Sequence, residues 1–126
     1  MYKREYSLKT RYNFRKVFES GETFVSHYFV IKYLKVKPEV FESDVVNKKF
    51  AVITSNKLTS KKVHQAKIRR LIAKQIVAKL ERFPAYYYYV FVPKKTIIDF
   101  KRDKIIANDQ DLSSQINTFL SKIPKL

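Results

Sequence analysis

The sequence has no cysteine, no tryptophan and a single glycine, and its acids are few: 11 Asp and Glu stand against 27 Lys and Arg in 126 residues. Without cysteine there is neither a disulfide nor a thiolate zinc site, and the only imidazoles, His27 and His64, are far apart in the chain. One glycine cannot build the glycine-rich loops that cradle nucleotide phosphates. No run of about 18 apolar residues occurs, so no segment reads as a membrane-spanning helix. Residues 1–11 are charged and aromatic and lack the apolar centre of a signal peptide, so the expected location is the cytoplasm and no membrane partner is expected. Paired catalytic carboxylates are not suggested either. Asp99, Asp103, Asp109 and Asp111 fall in what reads as a polar linker, with neither helical nor metal-loop spacing.

What the chain has in excess is positive charge. A net charge of +16 opposes compaction through self-repulsion, which a polyanionic partner would offset, and nucleic acid is the default polyanion. The charge is also unevenly placed. Residues 48–95 carry thirteen Lys and Arg and one acid, Glu81, a net +12, so alternating salt bridges along a helix cannot explain the excess. A membrane-surface helix would need one deep apolar face and little other core, whereas the apolar residues here, 45% of the total, spread over several segments and suffice for one domain spanning residues 1–126.

Leu8, Tyr12, Phe14, Val17 and Phe18 fall near helical spacing and predict a first helix over residues 10–20, with Gly21 supplying a left-handed position just beyond it. Residues 23–37, rich in β-branched and aromatic side chains, predict a strand, with room for a further one within residues 22–37. The acidic residues 39–44 then read as a hairpin loop and residues 49–54 as a strand returning antiparallel. From Ser60 a long helix is predicted, with Ile68, Leu71, Ile72, Ile76, Leu80 and Phe83 on one face and Lys67, Arg70 and Lys74 on another, beside Lys62 and Arg69; Pro84 closes it. Residues 86–92 form a continuous aromatic and apolar run, as in a central strand buried on both faces, and alternation puts Tyr86 and Tyr88 opposite Tyr87 and Tyr89. A last amphipathic helix is predicted over residues 112–122. The class is α+β: one small sandwich in which helices cover a central sheet of about four strands.

The cations between Lys57 and Lys74 carry the functional reading. On a helix, residues three, four and seven apart share a face, and such a face spans successive phosphates of a folded RNA better than any single anion. Lys57, Lys61, Lys62, Lys67, Arg69, Arg70 and Lys74 are the candidate RNA-binding residues. Arginine adds the ability to fork two hydrogen bonds onto one phosphate.

The run Phe50-Ala51-Val52-Ile53-Thr54-Ser55-Asn56-Lys57, a short loop, and then Gln65-Ala66-Lys67-Ile68-Arg69-Arg70-Leu71 resembles the signature of the bacterial ribonuclease P protein component. In that pattern a strand and a serine-lysine-lysine turn precede a helix bearing arginine-asparagine-arginine, an apolar residue, lysine and arginine. Phe14-Arg15-Lys16-Val17-Phe18 with Gly21, and Tyr86 to Val92 with Pro93-Lys94-Lys95, resemble its first helix and late strand, so the likeness covers roughly residues 8–100. Asn56 stands where the pattern has lysine, and Gln65 and Ala66 where it has arginine and asparagine. The resemblance implies the protein subunit of a ribonucleoprotein endoribonuclease that matures the 5′ end of tRNA. Its partners would be the catalytic ribonuclease P RNA, in a 1:1 complex with monomeric protein, and precursor tRNA; Mg²⁺ would be held mainly by RNA, and the chain itself would supply no catalytic residue and bind no metal. It further implies a cleft between the first helix and the sheet for the single-stranded 5′ leader, with Phe14, Phe18 and Tyr33 stacking on bases and Lys32 and Lys57 at the phosphates. The alternative is a ribosomal or other structured-RNA-binding protein with no part in tRNA processing.

Overall fold

In the computed structural model, residues 2–42 and 45–123 are described. Three helices and four main strands follow in the order α1 (Arg11–Ser20), β1 (Glu22–Val25), β2 (Phe29–Lys35), β3 (Lys48–Val52), α2 (Lys62–Ala78), β4 (Tyr87–Pro93) and α3 (Asp109–Lys122). A two-stranded hairpin, β5 (Ile98–Asp99) and β6 (Lys104–Ile105), lies between β4 and α3. The class is the α+β sandwich expected.

The sheet runs β1-β2-β4-β3, with β1–β2 and β2–β4 antiparallel and β3–β4 parallel. This corrects the expected antiparallel pairing of residues 23–37 with 49–54, because β4 enters between the two and takes the central position. Its side chains explain why: Tyr87 to Phe91 are all buried, and only a strand with sheet on both edges and helices on both faces can bury so continuous an apolar run. Residues 36–42 and 45–47 therefore belong to a connection between non-adjacent strands rather than to a hairpin loop, the last two residues of that expected loop, 43 and 44, lying outside the described residues, and α2 is the crossover that parallel strands require. The stretch 23–37 is likewise two strands, separated by a turn in which the backbone and hydroxyl of Ser26 donate to the Phe29 carbonyl at 2.9 and 2.8 Å.

Alternation along the strands divides the core in two. Phe29, Ile31, Phe50, Tyr87, Tyr89 and Phe91 face α2 and α3, where Ile68, Ile72, Ile76, Phe83, Leu112, Ile116 and Phe119 close over them. Val36, Ala51, Tyr88 and Val90 face the other way, toward Leu8, Val17 and Phe41. The isoleucines of α2 recur every fourth residue and are fully buried, each contributing about 1.5–3 kcal/mol of burial. Lys48 is buried as well, its ammonium donating to the carbonyls of Leu80 (2.9 Å) and Phe83 (2.7 Å), where it ties β3 to the turns that end α2. Desolvation lowers its pKa, with partial relief from nearby Glu81.

Helix ends follow the side-chain chemistry. Asn108 caps α3 by accepting from the Asp111 amide at 2.8 Å while the Asp111 carboxylate accepts from the Asn108 amide, a reciprocal capping box. Thr10 caps α1 by accepting from Asn13. Gly21 corrects an expectation: its backbone is extended (φ −81°), not left-handed. The requirement there is space, since a Cβ would sit 2.4 Å from the Val17 carbonyl oxygen and 2.8 Å from that of Tyr33. Glycine thus lets the end of α1 press directly onto β2.

Candidate RNA interface

On α2 the apolar stripe turns inward and Lys67, Arg70 and Lys74 turn outward, with Lys62 and Arg69 on one flank; all five are exposed. The candidate cations are therefore gathered on one helix and the loop before it, but they differ in what they touch. Lys61 pairs with Asp103 of the β5–β6 hairpin, and Lys74 with Asp109 of α3 at 2.9 Å; in each case the lysine lowers the pKa of the acid, chiefly by its hydrogen bond. Lys57, Lys62, Lys67, Arg69 and Arg70 have no acidic partner among the described residues. Residues 98–105, read from sequence as polar linker, are thus a hairpin that anchors itself on α2.

The loop from Ser55 to Ser60 is set by a small polar node. Gln65, almost fully buried, donates from Nε2 to the Thr59 carbonyl (2.7 Å) and to Asn56 Oδ1 (3.2 Å), which also accepts from the Lys62 ammonium (3.3 Å). On the flank of α2 nearer the sheet, Arg69 donates to Thr54 Oγ1 at 2.8 Å. Backbone hydrogen bonding of Ile53 to the Phe91 carbonyl carries β3 up to this point. The sheet edge, the loop and the cationic helix therefore form one continuous surface.

The sheet face under α1 leads into that surface and is only partly covered. At one end Val36, Phe41 and Tyr88 are sealed by Leu8 and Val17, but at the other Val30, Val92 and Ile53 are half-buried and Val25 is 62% exposed. Lys32 belongs to this face, in register with Thr23 and Val90, and its ammonium bonds Thr23 Oγ1 at 2.6 Å. Phe14 is half-buried against the α1-side core, whereas Phe18, one turn before Gly21, is 43% exposed. Tyr33 is not in this groove. It points to the opposite face, edge-on to Phe119 at 5.1 Å and close to Tyr87, and burial together with Glu22 raises its pKa. Adjacent strand residues face opposite sides, so Lys32 and Tyr33 cannot share one groove. The apolar groove residues Val30, Val92 and Ile53 were not singled out from the sequence; their parity with Lys32 is the signal that would have found them.

No group of three or more His, Asp or Glu side chains gathers as a metal site, and no helix is long and apolar enough to cross a membrane, among the described residues. A family model for ribonuclease P matches residues 2–118. The chain belongs to the ribonuclease P protein family. Its fold is similar to the ribonuclease P protein of Thermotoga maritima (TM-score 0.73, 18% identity, 94% of this chain and 97% of that one covered). It is also similar to the Staphylococcus aureus protein (TM-score 0.67, 14% identity, covering 92% and 93%). A comparison with curated protein sequences finds no match.

Membership in the ribonuclease P family implies a component of an endoribonuclease and a partnership with ribonuclease P RNA. It also gives the polar node a meaning. Asn56 and Gln65, two positions where this chain departs from the ribonuclease P signature, are hydrogen-bonded to each other. Two cations of the pattern are thus replaced by a neutral pair that holds the loop, and the charge of this candidate surface rests on the remaining lysines and arginines.

Proposed function

We propose that this chain is the protein subunit of ribonuclease P, using α2 and its preceding loop to hold the catalytic RNA and the open sheet face to hold the 5′ leader of precursor tRNA. The observation that carries the reading is continuity: a partly open apolar strip, with Lys32 on it and the exposed Phe18 on α1, runs past Thr54 and Arg69 to a helix face whose cations, Lys74 excepted, have no acidic partner among the described residues, in a chain of this family. Five cations without acidic partners, Lys57, Lys62, Lys67, Arg69 and Arg70, would release about five counterions on binding phosphates, making the affinity fall by roughly four powers of ten per tenfold rise in salt.

In the groove, Phe18 and the half-exposed edge of Phe14 offer ring faces to unpaired bases, and such stacking is worth about 1–3 kcal/mol per base with little sequence preference. Lys32 follows the backbone. The chemistry would lie in the RNA, with Mg²⁺ held mainly there; the protein contributes position and charge screening. It acts as a monomer on one RNA in this reading.

Reconstitution with a bacterial ribonuclease P RNA at low Mg²⁺ tests it: the protein should increase cleavage of precursor tRNA, and no gain would remove the proposal. Comparing affinity for precursor and mature tRNA separates leader recognition from generic binding of structured RNA, which would treat the two alike.

A further inference from the structure

The β5–β6 hairpin lies outside both surfaces just described, yet it is built as an outrigger to α2. Ile97 and Ile98 are buried and Ile105 packs against the main core, so the base of the hairpin is fixed. Its tip is fixed as well: the Asp99 carboxylate accepts from the amides of Lys101 (3.1 Å) and Arg102 (3.2 Å), and Asp103, at φ 56°, pairs with Lys61 and lies 3.9 Å from His64. Both acids of the tip are thereby engaged, Asp103 by Lys61 and Asp99 by these amides and by the Arg102 guanidinium at 3.7 Å. What the tip presents outward is Phe100 (56% exposed), Lys101, Arg102 and Lys104.

Helix geometry sets where these cations stand. Arg69 on α2 meets Thr54, whereas His64, five residues earlier and so about 140° around the helix, meets the hairpin. The groove and the hairpin therefore flank α2 on opposite sides, with Lys67 and Arg70 between them. We infer that the hairpin tip is a second RNA-contacting element, gripping the ribose-phosphate backbone of the RNA seated on α2, with the Phe100 ring against a neighbouring sugar or base. Charge complementarity selects the occupant: Lys101 and Lys104, with no acidic partner among the described residues, and Arg102, paired with Asp99, lie beside an exposed aromatic and suit a polyanion with planar groups. The inference rests on the reading of α2 as the RNA-binding helix.

The test compares two variants of the full chain, Lys101→Ala/Arg102→Ala/Lys104→Ala in the hairpin and Arg69→Ala/Arg70→Ala in α2, binding a transcript of a bacterial ribonuclease P RNA over a salt series. With melting unchanged, the hairpin variant should bind at least tenfold more weakly at low salt, and its log–log salt slope should drop by about 2–3. A weakened α2 variant beside an unaffected hairpin variant would overturn this inference and leave the function standing; two unaffected variants would overturn both. Should the triple variant melt early, Lys101→Ala alone, an exposed cation with no acidic partner among the described residues, decides the matter: a slope lower by about one supports the contact and an unchanged slope refutes it.

Discussion

The two faces of the central sheet are built from the same strands and treated in opposite ways. Toward α2 and α3 the face is closed by two helices, and Phe29, Phe50, Tyr89 and Phe91 are fully buried in stacked and edge-on contacts, Phe50 to Tyr89 at 5.1 Å and Phe83 to Phe50 at 5.0 Å. Toward α1 a ten-residue helix covers one end only, and Val25, Val30, Val92 and Ile53 are left wholly or partly open. A small protein gains stability from one well-sealed core and can then leave the opposite face unsealed. The open face is where an apolar, cationic strip can meet an unfolded strand of nucleic acid.

The largest expected effect breaks the comparison at its sealed side. Phe50→Ala removes a fully buried ring with three aromatic neighbours and should cost about 3–5 kcal/mol in denaturant unfolding, enough to leave such a domain marginal. Lys48→Ala comes next, at about 2–4 kcal/mol, because it strips the Leu80 and Phe83 carbonyls of their donor and leaves a hole beneath them. A loss under about 1 kcal/mol there would show that water takes over the ammonium's role. On the open face the balance reverses. Phe18→Ala should change stability by less than about 1 kcal/mol yet weaken binding of precursor relative to mature tRNA by about tenfold, a stacking contribution near 1.4 kcal/mol. A variant that melts early and binds both tRNAs normally would move Phe18 into the core and close the groove.

How much of this was legible in the sequence follows from the range of the interactions. The periodicities of α2 and of β4 are local, and both were visible, as was the two-sided burial of the tyrosine run. The position of β4 between β2 and β3 depends on long-range pairing, Lys48 with Tyr87 and Val52 with Phe91, and nothing local in residues 38–47 reports it. The engagement of Lys61 by Asp103 and of Lys74 by Asp109 spans 42 and 35 residues, so a count of cations overstates the free charge. Gly21 was noticed for the wrong reason, because crowding by the Tyr33 carbonyl is a tertiary fact. Tyr33 was a different kind of miss. Strand alternation places it with Phe29 and Ile31, opposite Lys32, a local signal that separates the two side chains.

The smallest effect concerns what holds the hairpin to α2, where neither face of the sheet is involved. Asp103 is exposed, and its pKa is lowered mainly by the hydrogen bond from Lys61 and further by the Lys61 and His64 charges. A carboxyl whose folded pKa lies below its ordinary 3.8 binds fewer protons when folded than when unfolded, so its contribution to stability is present above that value and lost as pH falls through the folded one. Solvent and salt screen an exposed pair, so the melting temperature should fall only slightly more between about pH 6 and pH 3 for the native chain than for Asp103→Asn. Raising the salt to about 1 M should erase even that difference, while Phe50→Ala stays as destabilising as before. A large, salt-resistant acid loss removed by Asp103→Asn would mean that the hairpin belongs to the sealed core rather than to the charged surface, and the contrast between a stable side and a binding side would have to be redrawn around it.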